Sequence, residues 1–442
     1  MFRVLTIALV IVFTVLNTAA AEENFNYTDK ANEFVQLMNS GQYESAADKF
    51  AAATKAALPA EKLGEVWVSI SDQMGKFNIV ISDTYIESGE YKTIILTCSF
   101  GDNYLDIKIT FDADNMIAGL YFSPNSSFTN YSLPGYADIT KYEEEEIVFG
   151  KDPWELPGTL TIPYSEDDET FPVVILVHGS GPNDRDETVG PNKPFKDLAL
   201  GLASQGVAVF RYDKRTKVHG MKIYKNNNDF TLAEETIDDA VEAVKLMKNH
   251  PSIDSDNIFV LGHSLGGMAI PRIGAATQND TRGLIIMAGS ARRYKDIYRE
   301  QLEYLFNADG TVSHEETAKM KEVEEQIKNM YNKDLPVEKM LMNTAASYWE
   351  YLKDYNPSKE AKNLKQSILV IQGKRDYQVT AADYKLWLKE LSGKKTVSFK
   401  LYEKLNHLFL EGEGASFPKE YYKASNIPEY VIKDIADWVK GR

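Results

Sequence analysis

Hydrophobic positions change their spacing once within residues 28–124. Between 28 and 75 they recur every three or four positions, which predicts amphipathic helices. From 77 to 123 they alternate with polar positions or form short apolar runs bounded by Gly, Asp and Asn, which predicts strands. Helices followed by a meander of antiparallel strands indicate a small α+β domain over 28–124. The polar stretch 125–139 is predicted to be a linker.

From about residue 140 the pattern changes to apolar strands that alternate with amphipathic helices. Two lead-in strands, within EEIVFG and GTLTIPY, precede six apolar runs. The runs are PVVILVH (172–178), VAVFRY (207–212), NIFVLG (257–262), GLIIMAG (283–289), SILVIQG (367–373) and VSFKLY (397–402). Nearly continuous apolar strands with helices between them predict an α/β domain over 140–442, with a mostly parallel sheet covered on both faces.

One interval in this domain is much longer than a single crossover helix needs. Residues 291–365 contain three helical patterns, RYKDIYREQLEYLF, EETAKMKEVEEQIKNMY and TAASYWEYLKDY. We expect these residues to form a helical cap inserted over the edge of the sheet.

The first residues have the composition of a secretory signal peptide. Arg3 gives a positive start, Val4 to Leu16 form an apolar stretch, and Ala19 to Ala21 form an A-x-A cleavage site. The stretch is shorter than the about 20 apolar residues that cross a bilayer. We therefore expect 1–21 to be removed, so that the protein is exported (secreted, periplasmic or at the cell surface) without stable membrane insertion.

The net charge bears on the partners that the protein can bind, and the cysteine content bears on how the protein is stabilised. The 442-residue chain has a formal net charge of -16, which disfavours nucleic acid and anionic membranes as partners. Its single cysteine, Cys98, lies in the apolar run TIILTCSF and is expected to be a small buried side chain. No intramolecular disulfide is possible, so packing alone must hold the mature protein together.

The candidate chemistry begins at the stretch LGHSLGG, between an apolar run and a helical pattern. Residues 262–266 match G-x-S-x-G, the nucleophile elbow, in which a sharp strand-to-helix turn exposes the serine hydroxyl. Small residues are needed because a side chain on either side would collide with the strand and the helix. Ser264 is therefore the candidate nucleophile, and an alcohol at neutral pH needs a base to activate it.

An acid and a base follow in the order that this elbow requires. Folds with a nucleophile elbow carry an Asp or Glu and then a His, each after a later strand. Asp376 follows SILVIQG, and His407 follows VSFKLY by five residues. Because open α/β sheets bind ligands at the carboxyl ends of their strands, we predict that Ser264, Asp376 and His407 form a catalytic triad.

Acyl transfer also needs hydrogen-bond donors for the oxyanion. The N–H of Leu265, directly after the nucleophile, is one predicted donor. The second should come from the loop after the first parallel strand, HGSGP, where Ser180 is favoured and Gly179 is the alternative. His178 in the same loop is expected to have a structural role.

Charged residues follow the first two parallel strands. Asp184 to Glu187 lie just past the predicted oxyanion loop, and a second group lies at Arg211 to Arg215. Both groups are predicted to form ion pairs. For the first group, a rim that contacts a polar substrate stays open as an alternative.

Five segments together resemble bacterial α/β-hydrolases of the serine aminopeptidase and acyl esterase group. They are LVHGSGPNDRDE, FRYDKR, GHSLGG, QGKRDYQV and LNHLF, and the resemblance extends over about 140–442. Residues 28–124 resemble a small domain of unknown function that is often fused ahead of such hydrolases and is described as cystatin-like or nuclear-transport-factor-like. The resemblance implies an α/β-hydrolase fold but does not specify the substrate.

The sequence favours a secreted serine hydrolase that cleaves carboxylic esters through an acyl-enzyme on Ser264. The expected substrate is a small ester or peptide-like molecule, with no metal ion and no organic cofactor. Two alternatives stay open. One is an aminopeptidase or amidase of the same fold, and the other is a binding or sensor protein without catalysis.

Overall fold

A computed structural model of the protein describes residues 27–88, 91–101, 103–125, 131–165, 169–225, 230–308 and 310–442. The predicted signal peptide, 1–21, lies outside the described residues. The chain divides into two compact units, Met1–Asn130 and Tyr131–Arg442.

The first unit contains four helices followed by four strands. The helices are α1 (Tyr27–Asn39), α2 (Tyr43–Ala47), α3 (Ala52–Ala57) and α4 (Ala60–Met74). The strands are β1 (Phe77–Ser88), β2 (Tyr91–Phe100), β3 (Asn103–Phe111) and β4 (Ile117–Pro124). They form an antiparallel sheet in the order β1-β2-β3-β4, which confirms the predicted α+β class.

One face of this sheet packs on the helices. Phe34 of α1 and Trp67 of α4 join Phe100 and Ile107 of the sheet in a single core. Cys98 is fully buried in the same core, and burial raises the pKa of its thiol to about 12. The likeness to cystatin or nuclear transport factor folds stays a prediction.

The second unit is built on an eight-stranded sheet. Its strands are β5 (Tyr142–Phe149), β6 (Leu156–Pro163), β7 (Phe171–Val177), β8 (Ala208–Tyr212), β9 (Ile253–His263), β10 (Gly283–Met287), β11 (Ser367–Gly373) and β12 (Val397–Tyr402). They lie in the order β12-β11-β10-β9-β7-β8-β6-β5. The β5–β6 and β6–β8 pairs are antiparallel, and the other pairs are parallel.

Helices cover both faces of this sheet, as the sequence predicted. The α-helices of the second unit are α5 (Pro194–Ala203), α6 (Arg215–Val218), α7 (Gly220–Lys225), α8 (Asp238–Lys248), α9 (Leu265–Ala276), α10 (Tyr294–Phe306), α11 (His314–Asn329), α12 (Ala346–Leu352), α13 (Pro357–Glu360), α14 (Ala381–Leu391) and α15 (Glu429–Lys440).

The central strand β7 shows why both faces are covered. Val173 and Ile175 point into the core that α8, α9 and α14 close. Val174 and Leu176 point into the opposite core, which α5 and α15 close. Since successive side chains of a strand alternate between faces, an unbroken apolar run needs helices on both sides.

The second half of the predicted linker 125–139 contacts the second unit. Tyr131 donates its hydroxyl hydrogen to Asp197 at 2.7 Å, and Tyr136 donates to the Ile427 carbonyl at 2.7 Å. These two residues therefore belong to the second unit. The stretch looked like a linker because its many Asn, Ser and Gly residues are typical of loops.

The predicted cap contains α10, α11 and α12, with a small core of its own around Val323, Leu341 and Trp349. Arg292, where the cap begins, pairs with the fully buried Asp383 at 2.7 Å. The cap is therefore tied by a charged contact to α14 of the main fold.

Candidate active site

Ser264 occupies the turn between β9 and α9, as the elbow motif predicted. Its backbone has φ 53° and ψ -113°, a combination that residues other than glycine rarely adopt. The Ser264 N–H donates to the Met287 carbonyl at 3.0 Å, which holds the turn against β10. The first turn of α9 follows at once, so its free N–H groups and positive dipole end lie beside the hydroxyl.

The glycines of the elbow are required by close backbone contacts. A Cβ atom on Gly266 would lie 2.7 Å from the His178 carbonyl oxygen and closer still to that of Val177. A Cβ atom on Gly262 would lie 2.7 Å from the Gly267 nitrogen. The turn is therefore packed against the end of β7, where the predicted oxyanion loop begins.

Asp376 and His407 meet as the sequence predicted. The Nδ1 atom of His407 lies 2.7 Å from Oδ2 of Asp376, and both residues are buried. Oδ1 of Asp376 accepts hydrogen bonds from the N–H groups of Gln378 and Val379 at 2.8 and 2.9 Å. Gln372 donates to Oδ2 at 3.0 Å, so the carboxylate is held by four donors. Such a carboxylate favours one tautomer of His407, with the proton on Nδ1.

The loop that carries His407 is organised by its neighbour Asn406. The fully buried side chain of Asn406 accepts from the N–H groups of Leu408 and Leu410, at 3.1 Å each. It also donates to Glu420 at 3.2 Å. His407 therefore lies at the start of a tight turn whose backbone is closed by a side chain.

The predicted oxyanion loop, Gly179 and Ser180, lies beside the candidate nucleophile. A Cβ atom on Gly179 would lie 3.6 Å from Ser264 Oγ. The Gly179 N–H, however, already donates to Oε1 of Glu187 at 2.7 Å. The Gly179 N–H, which was the alternative oxyanion donor, is therefore already bonded to the Glu187 side chain.

His178 is buried and packs between two aromatic rings. Its ring centre lies 5.0 Å from that of Phe195 and 5.4 Å from that of Tyr212. Burial lowers the pKa of His178 to about 4, so the ring is neutral at neutral pH. These contacts agree with the structural role that the sequence analysis expected.

Two buried side chains, one from the charged group after β8 and one from the cap, lie beneath the oxyanion loop. Lys214 donates to the Gly179 carbonyl at 2.7 Å and to Glu235 at 2.6 Å. Tyr348 of the cap donates to the other oxygen of Glu235 at 2.6 Å. Burial, with the nearby Glu235 charge, raises the pKa of a second cap residue, Tyr294. The cap is therefore linked to the oxyanion loop through Glu235 and Lys214.

The charged loops after β7 and β8 form the predicted ion pairs. Asp186 pairs with Arg211 at 3.0 Å and with Lys193 at 3.1 Å. Arg185 pairs with Asp213 at 3.2 Å. Asp186 of the first loop is thus paired with cations of this chain, and Asp184 accepts the Thr188 N–H at 2.9 Å.

His263 was not singled out in the sequence, and Glu187 was predicted only to form an ion pair. His263 is the variable second position of the elbow, so its side chain carried no signal of its own. Its ring lies between Glu187 and His407, with a ring-centre distance of 4.7 Å to His407. In the ranges that the structure describes, no group of three or more His, Cys, Asp and Glu side chains is arranged to hold a metal ion.

Residues 169–413 match the family described as "Serine aminopeptidase, S33". The chain belongs to this family of hydrolases. Residues 31–120 match a second family, described as "Protein of unknown function (DUF3887)". The protein is thus a hydrolase with the α/β-hydrolase fold, which confirms the predicted resemblance and fold class.

The esterase EstD of Thermotoga maritima is 37% identical over 413 residues, covering 93% of this chain and 95% of its own. A solved esterase of Pyrococcus furiosus is 15% identical, with a TM-score of 0.43, over 68% of this chain and 91% of its own. An acylaminoacyl peptidase of Pyrococcus horikoshii is 14% identical, with a TM-score of 0.46, over 82% of this chain and 56% of its own. The relative matched over nearly its whole length is named an esterase.

Proposed function

We propose that this protein is a serine esterase and that Ser264 is its nucleophile. His407 takes the hydroxyl proton as Ser264 attacks an ester carbonyl, and Asp376 orients His407 and stabilises its charged form. His407 then protonates the leaving alcohol. Water, activated by the same His407, releases the acid from the acyl-enzyme. The 2.7 Å contact between His407 and Asp376, next to a strained serine turn, carries this proposal.

The oxyanion is held by backbone N–H groups in this mechanism. Leu265 is the first residue of α9 and provides one donor. Ser180 provides the second, since the Gly179 N–H is bound to Glu187. The Gly179 carbonyl is bound by Lys214, which orients the peptide group that links Gly179 to Ser180.

The pairing of the acidic residues favours an ester over a substrate with a free amine. An aminopeptidase needs a carboxylate to bind the substrate's ammonium group. Glu187 and Asp186, from the loop beside Ser264, are paired with His263 and Arg211. Glu235, beneath the loop, is paired with Lys214. The name of the 37% identical relative, an esterase, points the same way.

A substrate panel tests the proposal. Purified protein is assayed with p-nitrophenyl esters and with aminoacyl-p-nitroanilides, and the serine is labelled with a fluorophosphonate. We expect turnover of the esters, and a fall of about 10⁶-fold in kcat, with loss of the label, in Ser264→Ala. Turnover of the anilides alone would make the protein a peptidase. A protein that neither turns over substrate nor takes the label would be a binding protein.

We also propose that the protein acts after export and that residues 1–21 are removed. The support is the positive start, the apolar stretch and the small residues before Glu22. The N-terminal sequence of the protein from the exported fraction should begin at Glu22. An intact first segment on active protein inside the cell would contradict export. In the ranges that the structure describes, no helix is both long and apolar enough to cross a membrane.

A further inference from the structure

A buried pair of charged residues, Glu187 and His263, joins three backbone segments of the site. His263 directly precedes Ser264, and its Nδ1 atom lies 2.9 Å from Oε2 of Glu187. The Nε2 atom of His263 lies 3.0 Å from the carbonyl oxygen of His407. The other carboxylate oxygen of Glu187 accepts the Gly179 N–H at 2.7 Å. One pair of side chains thus contacts the elbow, the His407 loop and the oxyanion loop.

We propose that Glu187 and His263 are positioning residues, which hold the His407 loop and the oxyanion loop at fixed places beside Ser264. The inference rests on the proposed function, because it concerns the geometry of that mechanism. Reacting groups must be placed to within a fraction of an ångström, and a shift of 1 Å in a catalytic group can lower the rate about 10²-fold.

The acceptors around His263 define its protonation. A carbonyl oxygen only accepts, so the Nε2 atom that faces His407 carries a proton. The Nδ1 atom lies 2.9 Å from Oε2 of the Glu187 carboxylate, which is an ion-pair distance. Burial opposes the charged ring, but the Glu187 charge, its hydrogen bond and the His407 carbonyl together raise the pKa of His263. His263 therefore donates from Nε2 to the His407 carbonyl, and its Nδ1 atom lies within ion-pair distance of Glu187.

The backbone of Glu187 shows that its side chain is held in place. Glu187 has φ 51°, in the left-handed region that residues other than glycine avoid. Such a conformation persists only where surrounding contacts over-determine it. The contacts here are the Glu187 N–H to the Asp184 carbonyl at 2.9 Å, the Gly179 N–H and the His263 ring.

Four variants test the positioning role: Glu187→Ala, Glu187→Gln, His263→Ala and His263→Gln. The readout is kcat for p-nitrophenyl esters per active site, counted from the final extent of fluorophosphonate labelling. We expect both alanine variants to lower kcat per site about 10²-fold with KM little changed, since the substrate's own contacts remain.

The glutamine variants distinguish positioning from simple support of the fold. In Glu187→Gln the amide oxygen can still accept from Gly179, and its NH₂ can donate to a neutral His263. The Nε2–H of His263 can then still donate to the His407 carbonyl. Because both loops keep their hydrogen bonds, kcat per site should stay close to that of the wild type. In His263→Gln the amide can donate to the His407 carbonyl, so this variant should recover part of the rate lost in His263→Ala.

A matched control is Asp239→Asn, because Asp239 and Arg215 form a buried ion pair that contacts neither Gly179, Ser264 nor His407. Unchanged kcat per site in the alanine variants, with only a lower Tm, would overturn the inference and leave the proposed function standing. An equal fall in kcat in Asp239→Asn would also overturn it. If Ser264→Ala keeps its turnover, the proposed function fails and the inference fails with it.

Discussion

The Nδ1 atom of His407 lies 2.7 Å from Oδ2 of Asp376, 31 residues earlier in the chain. The contact forms because β11 and β12 are parallel neighbours, so that the loops after both strands leave the same edge of the sheet. Asp376 is already bound by Gln372, Gln378 and Val379. These three hydrogen bonds fix the orientation of the Asp376 carboxylate independently of His407.

Replacing Asp376 by Asn should lower kcat about 10⁴-fold, the size of the effect in serine proteases. The Asn amide oxygen would accept from the N–H groups of Gln378 and Val379, which leaves its NH₂ toward His407. Nδ1 of His407 would then lose its proton and the ring would adopt the wrong tautomer. Steady-state kinetics with a p-nitrophenyl ester measure this effect, and a fall of less than tenfold would contradict the role of Asp376.

Gly266→Ala should destabilise the fold and abolish activity. The new Cβ would collide with the carbonyl oxygens of Val177 and His178, so the elbow must move away from β7. Overpacking of this kind costs about 1–3 kcal/mol, and backbone atoms yield less than side chains. Gly393→Ala is the control, since nothing lies within 4 Å of its added Cβ. Urea unfolding of both variants decides the point, and equal stabilities would contradict the predicted collision.

Lys214→Met should destabilise the protein by about 3–5 kcal/mol, because it leaves the buried Glu235 without its cation. The double variant Lys214→Met with Glu235→Gln should lose less stability than the single variant. Denaturant unfolding of wild type, both single variants and the double variant completes the cycle. Additive effects would show that the two residues do not interact.

The Glu187–His263 pair should stabilise the fold most between about pH 4.5 and 6.5. His263, whose pKa is raised in the fold, contributes fully below its unfolded pKa of about 6.5 and less as pH rises through the folded value. Burial would raise the pKa of Glu187, but the His263 charge, with His178 and the Gly179 N–H, lowers it. Its contribution is lost as pH falls below about 4.5.

The measurement is the free energy of unfolding of wild type minus that of Glu187→Gln, taken from pH 4 to pH 9. The difference should be largest near pH 5–6 and should decline above pH 6.5. His407 and Asp376 also face the His263 ring and are present in both proteins, so the two proteins differ only in the Glu187 side chain. A difference that does not change with pH would contradict the ion pair.

Cys98 should react with a thiol reagent only after the first unit unfolds. The side chain is fully buried, and burial, with the Asp106 charge nearby, raises the pKa of its thiol to about 12. Burial therefore blocks the reagent, and the raised pKa keeps the thiol protonated at neutral pH. Reaction with a chromogenic disulfide, with and without denaturant, checks this, and fast reaction of the native protein would contradict the burial.

Patterns among residues that are close in the chain were sufficient to predict the strands, the helices and the nucleophile elbow. The apolar run of β7 predicted a strand covered on both faces, and the glycines around Ser264 predicted a turn without room for side chains. The contacts of Tyr131 and Tyr136 in the predicted linker were not predicted, because composition does not show which residues a tyrosine will contact.

The sequence by itself determined the α+β and α/β classes, the helical cap and the elbow at Ser264, since periodicity and turn chemistry depend on residues close in the chain. Tertiary structure decided the pairing of side chains. His263 donates to the His407 carbonyl, 144 residues away in the chain. Glu187 accepts the Gly179 N–H, which was the alternative oxyanion donor predicted from the sequence. Such choices depend on strand order and burial, because a buried charge or N–H must find whichever partner the fold places within 3 Å.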